Sequence, residues 1–209
     1  MRSVLPPVTR RSLVTLAAGI VFGGPAVAST VVETQRITVT PPKPIDGTPP
    51  AVQPGAPELH KAADALPASV AATRKKLLDA AYSGDLEKLR AVIQDTHPVP
   101  AFSVNEIADP IEYMKTQSGD GNGLELLAIM TDVLESGWAK VDAGTQQELY
   151  VWPYYAVLPM NKLTPPQLVE VYKLVTSSDF EEMKATGIYS FYTFGIDKDG
   201  VWKYFKLNN

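Results

Sequence analysis

Apolar residues recur along the middle of the chain at helical spacing. Leu77, Leu78 and Ala81, then Leu89, Val92 and Ile93, fall on two such stripes. Gly84 suits the end of the first helix and Asp85 the N-cap of the second, so the pattern predicts helices over Ser69 to Ser83 and Leu86 to Gln94. Pro98 and Pro100 stop the run. Asp109-Pro110-Ile111-Glu112 then places a cap, a first-turn proline and a third-position acid in order. Asn122-Gly123-Leu124-Glu125 repeats that signal before Leu126, Leu127, Ile129, Met130, Val133 and Leu134, an apolar helix expected to be central and to end at Gly137. Thr164-Pro165-Pro166-Gln167 opens a helix carrying Leu168, Val171, Tyr172 and Val175, and Ser178-Asp179-Phe180-Glu181 opens another that ends at Gly187.

Between these helices the period changes to two. Trp138 to Asp142 and Gln147 to Val157 predict a hairpin around Ala143-Gly144-Thr145; Tyr189 to Ile196 and Val201 to Leu207 predict a second around Asp197-Lys198-Asp199-Gly200. The 148–157 stretch is apolar on both alternating sets, Leu149, Val151, Tyr155 and Val157 against Tyr150, Trp152 and Tyr154. Pro153 makes it an edge, or bulges or breaks it, because proline has no N–H for the ladder. Leu149 and Val151 are expected on the central helix, with Trp152 facing a concavity. The element order gives an α+β fold, a small antiparallel sheet of two hairpins packed against several short helices.

The first third of the chain reads differently. Arg2, Arg10 and Arg11, the apolar run Leu13 to Phe22 and Ala26-Val27-Ala28 make residues 1–28 a cleavable signal peptide. Thr9-Arg10-Arg11-Ser12-Leu13-Val14 is similar to the twin-arginine export motif, but Leu and Val replace its preferred Phe and Leu, so the general secretory route is preferred. The expected location is the periplasm of a Gram-negative bacterium, or beyond it. Residues 29–66 hold Pro41, Pro42, Pro44, Pro49, Pro50, Pro54 and Pro57 and few apolar residues, the composition of a disordered spacer. The folded domain is expected over 67–209.

The blocks Val151-Trp152-Pro153-Tyr154-Tyr155-Ala156 and Leu163-Thr164-Pro165-Pro166-Gln167, with the final Gly200-Val201-Trp202, resemble a family of uncharacterised exported proteins of Gram-negative bacteria. That resemblance implies export and no particular activity. Leu77 to Leu89, with its Ala-Ala-Tyr-Ser-Gly-Asp-Leu-Glu core, also resembles the opening of nuclear transport factor 2-like domains, which implies a cone-shaped α+β fold with an apolar pocket. The paired helices from Pro165 to Ala185 interrupt the strand meander of that family.

Charge and chemistry narrow the function. The 209-residue chain has no cysteine and a formal charge of −4; removing the three signal-peptide arginines leaves −7. That balance argues against nucleic acid, which needs clustered Lys and Arg. Stable membrane insertion after signal cleavage is not expected either. With two histidines, His60 in the spacer and His97 in a Thr-His-Pro turn, no metal site and no cofactor are expected. Ser118-Gly119-Asp120-Gly121-Asn122-Gly123 lacks the lysine of a phosphate loop. Asp197, Asp199 and Gly200 read as a turn, and Asp142 and Glu148 as solvated hairpin charges. The aromatic strand residues read either as sheet core or as a half-wet groove. On the second reading Tyr150, Trp152, Tyr154, Tyr155 and Tyr192 bind a small apolar ligand, a peptide or an envelope component without catalysis. The alternatives are a small enzyme using Asp or Tyr as acid or base, and a structural partner-binding protein of the envelope.

Overall fold

The computed structural model describes residues 55–62 and 66–208. The stretch expected to be a signal peptide, most of the expected spacer and residues 63–65 lie outside the described residues. The fold is α+β: among the described residues there are six α-helices and one five-stranded sheet whose spatial order, β1-β2-β3-β4-β5, follows the chain. Every neighbouring pair is antiparallel.

The sheet starts earlier than expected. Strand β1, Glu58–His60, belongs to the segment read as spacer, yet it pairs with β2, Trp138–Val141, placing His60 opposite Trp138. Pro57 precedes this strand, where its missing N–H costs the ladder nothing.

Helices α1 (Ala68–Tyr82) and α2 (Leu86–Gln94) follow the stripe pattern. Asp85 caps α2 by accepting from Glu87 N at 2.9 Å. Helix α3 (Pro110–Gln117) is capped by Asp109, which also takes Arg90 Nη1 at 2.9 Å. Helix α4 (Leu124–Glu135) departs from expectation at its start. Asp120, rather than Asn122, accepts from Gly123 N at 3.2 Å and Leu124 N at 3.3 Å. Gly123 itself sits at φ 84, a left-handed value that favours glycine.

The aromatic strand is less than half its expected length. Strand β3 covers Leu149–Trp152 and stops at Pro153, and Tyr154–Val157 forms a 3₁₀ turn. Tyr154 N turns back to donate to Gly137 O at 2.8 Å. Helices α5 (Pro165–Val171) and α6 (Ser177–Thr186) follow. Thr176 caps α6, two residues before the expected Ser178, and shares a reciprocal bond pattern with Asp179. Strands β4 (Tyr192–Asp197) and β5 (Trp202–Leu207) close the sheet. Their turn is held by Asp197, whose carboxylate accepts from Asp199 N at 3.0 Å and Val201 N at 2.8 Å.

Two apolar clusters result. The larger joins α1 to α4 with the sheet residues Trp138, Tyr150, Trp152, Phe194, Ile196, Trp202 and Phe205. The smaller joins Ala139 with Tyr154, Tyr155, Met160, Val171, Val175, Phe180, Met183 and Tyr189. Register explains the division. Tyr150 and Trp152 stand opposite Ile196 and Phe194, whereas Val151 stands opposite Ala139 and Gly195 on the other face. The expected facing is therefore inverted: the Tyr150–Trp152 set meets the central helix α4, and the Leu149–Val151 set does not. Gly195 explains part of the choice, since a Cβ there would lie 2.4 Å from the Tyr204 ring that covers it.

Candidate functional site

The five aromatic residues proposed for one groove are not brought together. Trp152 is fully buried in the larger cluster, and Tyr150 is buried beside it. The expectation that Trp152 opens to a concavity is corrected: its facing partner is Phe194, and a ring of that size in a closed interior is core. Tyr150 donates its hydroxyl to Glu148 at 3.0 Å; burial, then that bond, pushes its pKa up to about 12. Tyr155 is fully buried in the smaller cluster, edge-on to Tyr189 at 5.5 Å, and burial pushes both phenols up. Tyr192 is half-buried and lines a small recess of about 200 Å³ with Phe102, Tyr113 and Leu207. Tyr154 faces a different cleft, one that charged and amide side chains share.

That cleft, about 280 Å³, lies between β1 and α5 and is lined by Leu59, His60, Lys61, Tyr154, Thr164, Pro166, Gln167 and Glu170. Its geometry starts at Gly137, the single residue between Ser136, which ends α4, and β2. A Cβ on Gly137 would lie 2.6 Å from His60 O and 2.7 Å from the Tyr154 ring, so glycine permits both to converge there. The His60 imidazole stacks on Trp138 at 3.9 Å and 12°. Glu58 Oε2 is 2.9 Å from Lys140 Nζ and 3.8 Å from His60 Nε2, the latter beyond hydrogen-bond reach. This stack and ion pair fasten a strand of three residues to the sheet edge.

Across the cleft the capping of α5 fixes an amide. Gln167 Oε1 accepts from Thr164 N at 2.8 Å and from Thr164 Oγ1 at 2.9 Å. With its oxygen committed, Gln167 offers its amide N–H groups to acceptors, and the neighbouring Tyr154 oxygen takes one of them. Burial pushes the Tyr154 hydroxyl up to about 12; the charge of neighbouring Glu170 and a bond to its carboxylate add to this, and a bond from Gln167 opposes it. Tyr154 is therefore a neutral donor and acceptor at ordinary pH.

A second cleft of about 360 Å³ adjoins the first and shares Lys61 and Glu170 with it. It adds Asp132, Glu135, Ser136 and Gly137 from the end of α4, and Lys173 and Leu174 beyond α5. The Tyr82 hydroxyl donates to Glu135, and Arg74 Nε donates to Leu134 O at 2.8 Å. Burial, reinforced by the like charge of Glu135, raises the Asp132 pKa. Among the described residues no salt bridge joins Lys61, Lys173, Asp132, Glu135 or Glu170, whereas Lys75–Asp79, Arg90–Asp109 and Lys140–Glu58 are paired.

The other sequence candidates have structural employment. Glu148 accepts from Gly144 N at 2.7 Å and from Tyr150, so it closes the first hairpin turn and its pKa is lowered, chiefly by the Gly144 bond. Asp142 occupies that turn at φ 52. Asp120 caps α4, and His97 is exposed in its turn. Among the described residues no cluster of His, Cys, Asp and Glu could hold a metal, and no helix is long and apolar enough to cross a membrane.

Sequence reasoning passed over His60, Lys61, Gln167 and Glu170. The available signals were the Thr164–Gln167 capping box and a glycine at 137 directly before a strand. Neither reveals that a segment a hundred residues earlier completes the cleft. Comparison with protein-family models, with curated proteins and with solved structures gives no match to this chain.

Proposed function

We propose that this chain is an exported, non-catalytic binding domain that holds a small molecule or short peptide in the cleft between β1 and α5. One observation carries the reading: Tyr154, Gln167, Glu170 and Lys61 line one cleft from separate parts of the chain. A few placed polar groups in a concave site are the usual means of orienting a small ligand. Leu59 and Pro166 supply apolar walls, and the His60–Trp138 stack backs one side. Export rests on the basic start, the apolar run and the Ala26-Val27-Ala28 site, so the working compartment is the periplasm or the medium.

Native mass spectrometry of the full chain purified from the envelope fraction tests both parts. The expected result is a mature chain beginning at Ser29 that carries a small adduct, with Glu170→Gln losing the adduct while remaining folded. An intact Met1 would reject signal cleavage. An adduct unaffected by changes at Glu170 and Tyr154 would place binding elsewhere.

A further inference from the structure

The two edges of the sheet are finished differently. Outside β5, Ala101 N donates to Lys203 O at 2.9 Å and Phe205 N donates to Ala101 O at 3.0 Å, so a loop residue covers that edge. At the other edge β1 pairs with β2 on one side, and among the described residues no strand pairs with its other side. A row of main-chain groups without a strand partner is a template for another extended chain.

The register identifies those groups. A Cβ on Gly137 would lie 2.6 Å from His60 O, so His60, which stands opposite Trp138, turns its carbonyl toward β2. Main-chain direction alternates along an antiparallel strand. Glu58 therefore shares that side, whereas Leu59 and Lys61 turn their N–H and C=O groups outward. Both of these residues line the β1–α5 cleft, with Tyr154, Pro166, Gln167 and Glu170 across it. The Leu59 side chain, 42% exposed, stands opposite Ala139 and so lies on the face of the smaller cluster. A chain laid along β1 would put every second side chain on that same face, against Leu59, Pro166 and the Tyr154 ring.

We infer that the ligand of this cleft is an extended peptide segment that adds to β1 as a further strand, hydrogen-bonded through the main chain of Leu59 and Lys61. This inference rests on the cleft reading above and narrows it. Main-chain pairing does not depend on end groups, so the segment can be internal to a longer chain. The ladder supplies affinity, and the alternate side chains that meet Leu59 and Pro166 supply a preference for apolar residues.

The test is hydrogen exchange and calorimetric titration of the full chain with acetyl-Thr-Val-Thr-Val-Thr-amide, a blocked, uncharged peptide of strand-forming residues. Without peptide the Leu59 and Lys61 amides should exchange fast, and with saturating peptide both should slow by about tenfold or more. N-methylation of the valines removes the N–H groups of one alternate set, and N-methylation of the threonines removes the other. One of the two methylated peptides should lose binding and the other keep it, because only one set faces β1. Leu59→Pro deletes an outward N–H and no bond to β2, and it should weaken the parent peptide by about tenfold with an unfolding midpoint near the parent. If that variant unfolds, the exchange and methylation results decide. Failure of the blocked peptide to bind, unchanged exchange at Leu59 and Lys61, or equal loss with both methylated peptides overturns the added strand. Slow exchange at those amides before peptide is added also overturns it, since another part of the chain then holds the edge. The cleft reading is judged separately by native mass spectrometry. A non-peptide adduct lost on Glu170→Gln keeps that reading and ends this one. No adduct at all, together with no titration signal, ends both.

Discussion

The two faces of the sheet are covered by different means. On one face Trp138, Tyr150, Trp152, Phe194, Ile196, Trp202 and Phe205 meet four helices of 15, 9, 8 and 12 residues. On the other, helices of 7 and 10 residues and a 3₁₀ turn cover Ala139 and the tyrosines 154, 155 and 189. Four helices, α1 and α4 the longest of the fold, present enough continuous apolar surface to seal a sheet face. Two helices and a turn leave their capped ends and connections at the boundary, and there backbone and side-chain polar groups stay available. The β1–α5 cleft lies at such a boundary.

Truncation inside the sealed face gives the largest expected effect. Trp152→Ala should cost about 3–5 kcal/mol in denaturant unfolding, the usual range for a large buried aromatic. Trp152→Phe should cost less, because among the described residues the Trp152 Nε1 has no partner and its removal relieves a buried polar atom. A Trp152→Ala chain as stable as the parent would break the contrast between the faces.

Gly137→Ala comes next. Its new Cβ must displace the His60 carbonyl and the Tyr154 ring, and overpacking of this kind costs about 1–3 kcal/mol. Stability should fall moderately and ligand occupancy should fall with it, since both walls move. Loss of stability with full occupancy would separate Gly137 from the site.

Alkaline pH probes the thinly covered face more gently. Tyr155 and Tyr189, on the thinly covered face, have folded pKa values raised by burial above the unfolded value of about 10. A raised pKa means that the neutral phenol is favoured in the fold. Their contribution is full below pH ~10 and is lost as the pH rises through the folded values. Unfolding free energy should therefore decline above pH ~10, and Tyr155→Phe should make that decline shallower. An unchanged alkaline slope would show that Tyr155 does not govern it.

Much of the fold is legible in the sequence because local chemistry decides it. Asp85, Asp109 and the Thr164–Gln167 pair mark helix starts by satisfying backbone N–H groups, and Asp197 to Gly200 marks a turn. Local signals are silent on facing. With both alternating sets of 149–152 apolar, the choice between Val151 and Trp152 is made by their cross-strand neighbours Gly195 and Phe194, which lie more than forty positions away. Pro153 announces a disruption, and the structure resolves it as a break followed by a turn. The site is less legible still. It needs β1, whose pairing comes from Trp138 and Lys140 rather than from any strand-like run of its own.

Tyr154 and Trp152, two positions apart on either side of Pro153, state the central claim in its sharpest form. One faces the cleft and the other is sealed in the core. The direct measurement is ligand occupancy of the Tyr154→Phe chain by native mass spectrometry, with its unfolding midpoint recorded on the same sample. The account predicts a midpoint close to the parent and loss of the adduct, because the ring still fills its place and only the hydroxyl facing Gln167 and Glu170 is gone. Full occupancy in Tyr154→Phe, with the adduct lost instead on Tyr192→Phe, would contradict it.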